Sequence, residues 1–156
     1  MKNHTQDNAG VIALPPLIYA VPLTMGLILH IAFPIRFLPG VLPLILGWPL
    51  IAIALFVILW ANQVMIRAGT NVNPYEPTVT IVTEGPYRFT RNPMYLSMTL
   101  LYGGISILIN ALWALLLLPA VLLVMHRGVI EREERYLEQK FGKEYVQYKA
   151  RVRRWI

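Results

Sequence analysis

No cysteine occurs among the 156 residues of this chain. Its absence excludes disulfide bonds, thiolate metal sites and cysteine nucleophiles together. Histidine is nearly as scarce, because only His4, His30 and His126 are present, and no two of them have the spacing of metal ligands. We therefore predict that the protein has no metal site.

Charged residues are also few: they make up 14% of the chain, whereas hydrophobic residues make up 56%. One small soluble core could not bury that much apolar surface. A helix needs about 20 apolar residues to span ~30 Å of hydrocarbon. The apolar region 94–125 is too long for one span, so we expect it to form a tight hairpin that turns at Asn110. We predict one all-α integral membrane domain, 1–156, with about four transmembrane helices. The predicted spans are about 11–33, 42–65, 94–109 and 111–125.

The basic residues are distributed unevenly between the two sides of such a bundle. With four spans, all Lys and Arg residues except Arg36 fall on the side shared by both termini and the loop 67–93, Lys2 among them. Basic residues accumulate on the cytoplasmic side of membrane proteins. We therefore expect a multi-pass protein with cytoplasmic termini, whose net charge of +6 lies against anionic membrane lipids. The sequence has no basic patch interleaved with aromatic residues, so we expect no nucleic-acid partner.

The segment GPYRFTRNPMY, residues 85–95, concentrates polar groups at the mouth of an apolar helix. Asn92 and Pro93 are typical of an N-cap and a first helical residue, since proline tolerates that position and asparagine can accept a bond from a free helix amide. The positive end of the helix dipole would then lie beside Arg91 and favour a carboxylate or a phosphate. The alternative is an anchor at the headgroup level. The preceding loop, 67–93, is long for so small a protein, which is typical of functional loops.

An amphipathic helix is predicted over about 126–150, where the chain becomes charged. Glu133 and Glu134 fall in the same stripe as the apolar side chains of this helix. A buried carboxylate without a partner costs several kcal/mol or takes up a proton, so a cation should face this pair. Two alternatives stay open: an ion pair with an arginine such as Arg88, Arg91 or Arg127, and a cationic ligand.

At this point two blocks, GPYRFTRNPMY and EERYLEQKFGKEYVQYKARV, resemble the isoprenylcysteine carboxyl methyltransferase family of integral membrane enzymes. The resemblance covers about the last half of the chain and keeps the family's order and spacing. The matching positions of the second block are Glu133, Glu134, Leu137, Phe141, Gly142, Tyr145, Tyr148 and Val152. The resemblance implies S-adenosylmethionine as methyl donor, bound at the cytosolic interface by the loop and the C-terminal helix.

The chemistry of this cofactor suits the residues of both blocks. Its ammonium and sulfonium suit the two glutamates, its carboxylate suits the arginine and the helix start, and tyrosines can offer hydroxyls or an aromatic face. The expected cofactor-binding residues are Tyr87, Arg91, Asn92, Pro93, Tyr95, Glu133 and Glu134. The expected catalytic residues are Arg91, Glu133 and His126. The expected acceptor is a lipophilic small molecule or lipid that enters laterally from the bilayer.

Two departures leave the acceptor open. The family's eukaryotic protein methylases have histidine in place of Asn92 and proline in place of Arg153, and NPMY followed by Ser97 is closer to phospholipid N-methyltransferases. A carboxylate or thiolate acceptor needs no general base, whereas an amine or hydroxyl would need His126 or a glutamate. A lone histidine near a helix end can instead be a dipole partner.

Two other classes remain as alternatives. One is a nicotinamide-dependent membrane reductase of similar architecture, although the paired glutamates would repel a dinucleotide phosphate. The other is a non-enzymatic membrane adaptor whose basic tail docks on lipid.

Labelling of single cysteines tests the predicted topology. Because the chain has no cysteine of its own, each introduced thiol reports one position. A reagent that cannot cross the membrane should label the loop 67–93 from the cytoplasmic side, and should label residues 34–39 and those near Asn110 only from the opposite side. Cytoplasmic labelling near Asn110 would contradict the four-span arrangement.

Overall fold

The computed structural model describes residues 7–156, so Lys2 and His4 lie outside the described residues. The helices are α1 Pro15–Ala32, α2 Leu42–Arg67, α3 Pro93–Leu108, α4 Leu112–Met125, α5 Glu131–Phe141 and α6 Lys143–Arg151. A short 3₁₀ helix, Gly85–Arg88, precedes α3, and a π-helical segment, His126–Ile130, joins α4 to α5. No β-strand occurs within residues 7–156, and the predicted all-α class is confirmed for this range.

Three helical runs are long and apolar enough to cross a membrane: Pro15–Ala32, Leu42–Arg67 and the continuous run Leu112–Phe141. The helix α3 is also apolar, but its 16 residues reach only about 24 Å at 1.5 Å per residue, which is short of the ~30 Å hydrocarbon core. The protein is therefore a multi-pass membrane protein by helix length and composition. The fourth span, the tight hairpin and the cytoplasmic orientation of the termini stay predictions.

Small residues allow the helices to approach closely. Helix α2 packs on α3, and α1 packs on α4. A Cβ added to Gly26 in α1 would lie 2.5 Å from the Cα of Ala114 in α4, and one added to Gly104 in α3 would lie 3.1 Å from the amide nitrogen of Ile51 in α2. Lipid tails are as apolar as side chains, so helices in membranes associate through this kind of close backbone packing.

Asn110 lies between α3 and α4 with φ 58°, a conformation that asparagine adopts more readily than most residues. Its Oδ1 accepts hydrogen bonds from the amides of Phe37 and Leu38, both at 3.0 Å, and its Nδ2 donates to the Leu38 carbonyl at 2.7 Å. One side chain thus ties the connection between α1 and α2 to the turn between α3 and α4.

The helix that begins with α4 changes from apolar to charged after Ile130. Val129 and Ile130 are fully buried, whereas the first turn of α5 carries Glu131, Glu133 and Glu134. We therefore place α5 outside the apolar, membrane-spanning part of the bundle. The prediction of a single C-terminal helix over 126–150 was wrong. The region begins with the π-helical segment, and Gly142, with φ 56°, divides the rest into α5 and α6. A positive φ favours glycine, which explains the break at this position.

Two adjacent glycines in α3 test the packing of the bundle. Gly104→Ala should lower the melting temperature in detergent, because the new Cβ meets the backbone of Ile51 and overpacking costs about 1–3 kcal/mol. Gly103→Ala is the matched control, since no atom lies within 4 Å of an added Cβ and alanine favours helix by up to about 1 kcal/mol over glycine. Equal melting temperatures for the two variants would contradict the close contact between α2 and α3.

Candidate functional site

A cleft with about 900 Å³ of empty space, part of it open to solvent, lies where the loop 67–93 and the start of α3 meet α5 and α6. All the residues predicted to bind a cofactor line it: Tyr87, Arg91, Asn92, Pro93, Tyr95, Glu133 and Glu134. They come from segments about 40 residues apart in sequence, so only the folded chain brings them together. Their proximity is observed, while their binding role stays a prediction.

Glu133 lies deep in the protein but keeps part of its surface accessible, and it lines the cleft. The hydroxyl of Tyr95 donates a hydrogen bond to its Oε1 at 2.6 Å. Burial raises the pKa of the Glu133 carboxyl to about 7, the Tyr95 hydrogen bond opposes this rise, and the charge of Glu134 adds to it. Within residues 7–156 no Lys or Arg nitrogen lies within 4.0 Å of this carboxylate. Glu133 therefore offers an unpaired carboxylate to the cleft.

Glu134 has the opposite environment, because its side chain is buried between two arginines. Arg154 donates to both oxygens, from Nε at 2.8 Å and from Nη2 at 2.7 Å, and Nη2 of Arg91 lies 3.2 Å from Oε1. Burial alone would raise the pKa of Glu134, but the hydrogen bonds from Arg154 and the charges of both arginines hold it below its ordinary value. The ion pair between Arg91 and this helix, left open by the sequence, is thus present at Glu134.

Arg91 is almost fully buried, with 8% of its side chain exposed. Its Nη2 faces Glu134, but Nε and Nη1 find no hydrogen-bond partner within residues 7–156. A buried donor without a partner costs about 1–3 kcal/mol, and Arg91 lines the cleft. This guanidinium therefore suits an anionic group that enters the cleft.

Tyrosines form much of the remaining polar wall. The Tyr148 hydroxyl donates to the carbonyl of Tyr87 at 2.7 Å, which joins α6 to the 3₁₀ helix before α3. Burial, together with the nearby Tyr148 and Glu133, raises the pKa of Tyr87, so its hydroxyl stays protonated. Tyr145 and Tyr148 also line the cleft, where they add aromatic surface that the sequence analysis had not assigned to the site.

Asn92 precedes α3, which begins at Pro93 as predicted, but the predicted side-chain cap is not formed. The Asn92 Nδ2 instead donates to the carbonyl of Arg154 at 2.9 Å. The expectation was wrong because a competing acceptor in the C-terminal tail turns this side chain away from the helix amides. Among residues 7–156 no side chain caps the N-terminus of α3, and the first residues of this helix line the cleft.

The structure does not bring His126 into the cleft. Its Nε2 lies 3.1 Å from Nη1 of Arg154 and 3.3 Å from Oε1 of Glu131. It lines a separate apolar groove beside Trp155. These contacts are those of a polar side chain at a helix junction, and Glu133 remains as the candidate base within the cleft.

Two further parts of the site were missed. Arg154 carried no signal that separates it from the other basic residues after Met125. The N-terminal segment 7–10 carried none either, yet Ala9 lines the cleft and Asp7 accepts hydrogen bonds from Tyr136 at 2.8 Å and from Lys140 at 2.7 Å. These bonds fasten the segment along α5.

Comparisons with known proteins place the chain in a family. The profile of the phospholipid methyltransferase family matches residues 42–144, well over half of the chain. An uncharacterized protein of Haemophilus influenzae is 43% identical over 63 residues, which are 40% of this chain and 100% of that protein. Protein-S-isoprenylcysteine O-methyltransferase B of Arabidopsis thaliana is 37% identical over 76 residues, which are 46% of this chain and 36% of that enzyme.

The unusual environment of Glu133 predicts a pH dependence of stability. Its pKa is raised from 4.5 to about 7 in the folded protein, so the folded state binds a proton that the unfolded state has lost. Stability should therefore fall as the pH rises from about 5 to about 7, by up to about 3 kcal/mol, when unfolding is followed in detergent. Glu133→Gln should remove this loss, whereas Glu144→Gln, at an exposed position of α6, should keep it. The same pH slope in all three proteins would contradict the assignment.

Proposed function

Since this chain belongs to the phospholipid methyltransferase family, we propose that it transfers a methyl group from S-adenosylmethionine to a lipophilic acceptor at the membrane interface. The family also accounts for the match to an isoprenylcysteine methyltransferase, and it confirms the resemblance stated from the two sequence blocks. One observation supports the proposal more than any other. The cleft holds both an arginine with unpaired donors, Arg91, and an unpaired carboxylate, Glu133.

These two groups fit the opposite charges that the methyl donor carries. The buried Nε and Nη1 of Arg91 have no partner among residues 7–156 and would suit the carboxylate of the cofactor, since hydrogen bonds between ionised groups are about twice as strong as neutral ones. Glu133 suits the ammonium or the sulfonium. The tyrosines of the wall, Tyr87 among them, suit the adenine ring. When bound, S-adenosylmethionine supplies an electrophilic methyl group.

Methyl transfer from a sulfonium is an in-line displacement, so the protein acts through positioning and exclusion of water. The bond from the acceptor atom to the methyl carbon forms as the carbon–sulfur bond breaks, and the electron pair stays on sulfur. Arg91 and Glu133 would fix the donor through its negative and its positive groups, while the tyrosines and the segment 7–10 exclude solvent. No covalent intermediate with the chain is needed.

One candidate acceptor is a carboxylate of the isoprenylcysteine kind. The Arabidopsis thaliana relative, named for that activity, supports it. A carboxylate is already a nucleophile, so this reaction requires no proton transfer and leaves Glu133 with a role in binding alone.

The charges of the cleft favour a second candidate, an amine such as a phospholipid headgroup. Arg91 is the only cationic side chain in the described part of the lining, so a carboxylate acceptor would have no cation of its own once Arg91 holds the cofactor. An amine must lose a proton for each methyl group it gains. Glu133, whose pKa lies near 7, is placed to accept that proton and return it to water.

The alternatives of other classes fit the cleft less well. The phosphates of a nicotinamide dinucleotide need several cations, whereas the described lining provides one. A non-enzymatic adaptor has no use for an unpaired carboxylate and an arginine with unpaired donors in one cleft.

Purified protein in lipid nanodiscs tests the proposal. S-adenosylmethionine with a labelled methyl group should bind in the cleft, because Arg91 and Glu133 suit its charges. The label should then appear in lipid. Glu133→Gln should lower kcat/KM by about 100-fold or more, the usual loss when a general base or a charged contact is removed, whereas Glu144→Gln should not. Failure of the wild-type protein to bind the donor would refute the proposal.

The pH dependence of the rate separates the two acceptors. With an amine acceptor, kcat at saturating S-adenosylmethionine should rise as the pH passes about 7, because only ionised Glu133 accepts a proton, and this rise should be missing in Glu133→Gln. With a carboxylate acceptor, mass analysis should find the label as an ester, and proton transfer to Glu133 should make no contribution. An ester product would contradict the assignment of Glu133 as a base.

A further inference from the structure

The C-terminal tail, residues 152–156, lies against the segment that carries Arg91. The Arg91 amide donates to the carbonyl of Arg153 at 3.0 Å. The carbonyl of Arg154 accepts two further bonds, from the Thr90 hydroxyl at 3.0 Å and from Asn92 Nδ2 at 2.9 Å. The tail thus holds the Arg91 backbone and the side chains of its two neighbours.

The Arg154 side chain reaches the same arginine by another route. It is absent from the lining of the cleft, yet its two bonds to Glu134 occupy both carboxylate oxygens. Arg91 then meets Glu134 through Nη2 alone, at the longer distance of 3.2 Å. Arg154 is therefore the stronger partner of Glu134.

This arrangement determines the charge of the site. One carboxylate lies between two guanidinium groups, so the three side chains together carry one positive charge. If Arg154 were removed, both oxygens of Glu134 could form a paired, two-bond contact with Arg91. That contact would neutralise Arg91 and take up a donor that now has no partner among residues 7–156.

We propose that Arg154 is a positioning residue: by occupying Glu134 it keeps the Nε and Nη1 of Arg91 available for the carboxylate of the methyl donor. The inference rests on the proposed function. It adds a residue outside the cleft, in a part of the chain that follows the matched range 42–144, to the recognition of the cofactor.

Calorimetry in detergent with two ligands tests the inference. Decarboxylated S-adenosylmethionine differs from S-adenosylmethionine in the carboxylate alone. Arg154→Gln should weaken binding of S-adenosylmethionine about tenfold, the size of one hydrogen bond to a charged group, and should change the binding of the decarboxylated ligand by less than about twofold. In turnover assays the KM for the donor should rise with kcat unchanged, as for an interaction equal in the ground and transition states.

Two further variants make the result specific. Arg151→Gln removes the same charge from an exposed position at the end of α6 and should bind both ligands as the wild type does. Arg154→Lys keeps the charge without the two-pronged geometry and should restore part of the loss. If Arg154→Gln has a lowered melting temperature, Arg154→Lys should still show a smaller loss that is confined to S-adenosylmethionine.

The outcomes separate the inference from the proposed function. Absence of binding by the wild-type protein would overturn both. Binding by the wild type, with equal losses for the two ligands in the Arg154 variants, would overturn the inference alone and leave Arg154 as a purely structural residue.

Discussion

The architecture of the site depends on one buried carboxylate. Glu134 in α5 holds Arg91 from the loop before α3 and Arg154 from the C-terminal tail, so three segments distant in sequence meet at two oxygen atoms. Removal of one member of a buried ion pair leaves an uncompensated charge and costs about 3–5 kcal/mol. The start of α3, the end of the loop and the tail therefore keep their places together.

Glu133, the neighbour of Glu134 in α5, has the opposite environment. Glu133 has no arginine within reach in the described structure, and its pKa is raised to about 7, whereas the pKa of Glu134 is lowered. Two nearby carboxylates whose environments push their pKa values apart are typical of sites in which the two groups have different roles. The cleft therefore offers one unpaired carboxylate and one arginine with unpaired donors, which complement the ammonium and the carboxylate of an amino acid.

Much of this site follows from local sequence patterns, and the rest depends on contacts that no pattern encodes. Carboxylates on the apolar face of a helix reveal themselves by periodicity, and Asn92 followed by Pro93 marks a helix start, so part of the lining of the cleft could be predicted. Arg154 could not, because a basic residue in a charged tail has no periodicity that assigns it a partner. The same tail supplies the carbonyl that draws Asn92 away from its cap. The amphipathic pattern continues across Gly142, so it does not predict the break between α5 and α6, which depends on this single glycine. The membrane class follows from composition, whereas the number of spans depends on α3, whose length lies close to the limit.

The structure of a complex with S-adenosylhomocysteine would show directly whether Arg91 and Glu133 hold the methyl donor. The account predicts the amino-acid carboxylate of this product within hydrogen-bond distance of the Nε or Nη1 of Arg91, with its amino group or sulfur facing Glu133. A product bound in the cleft with its carboxylate away from Arg91, or bound outside the cleft, would contradict the account.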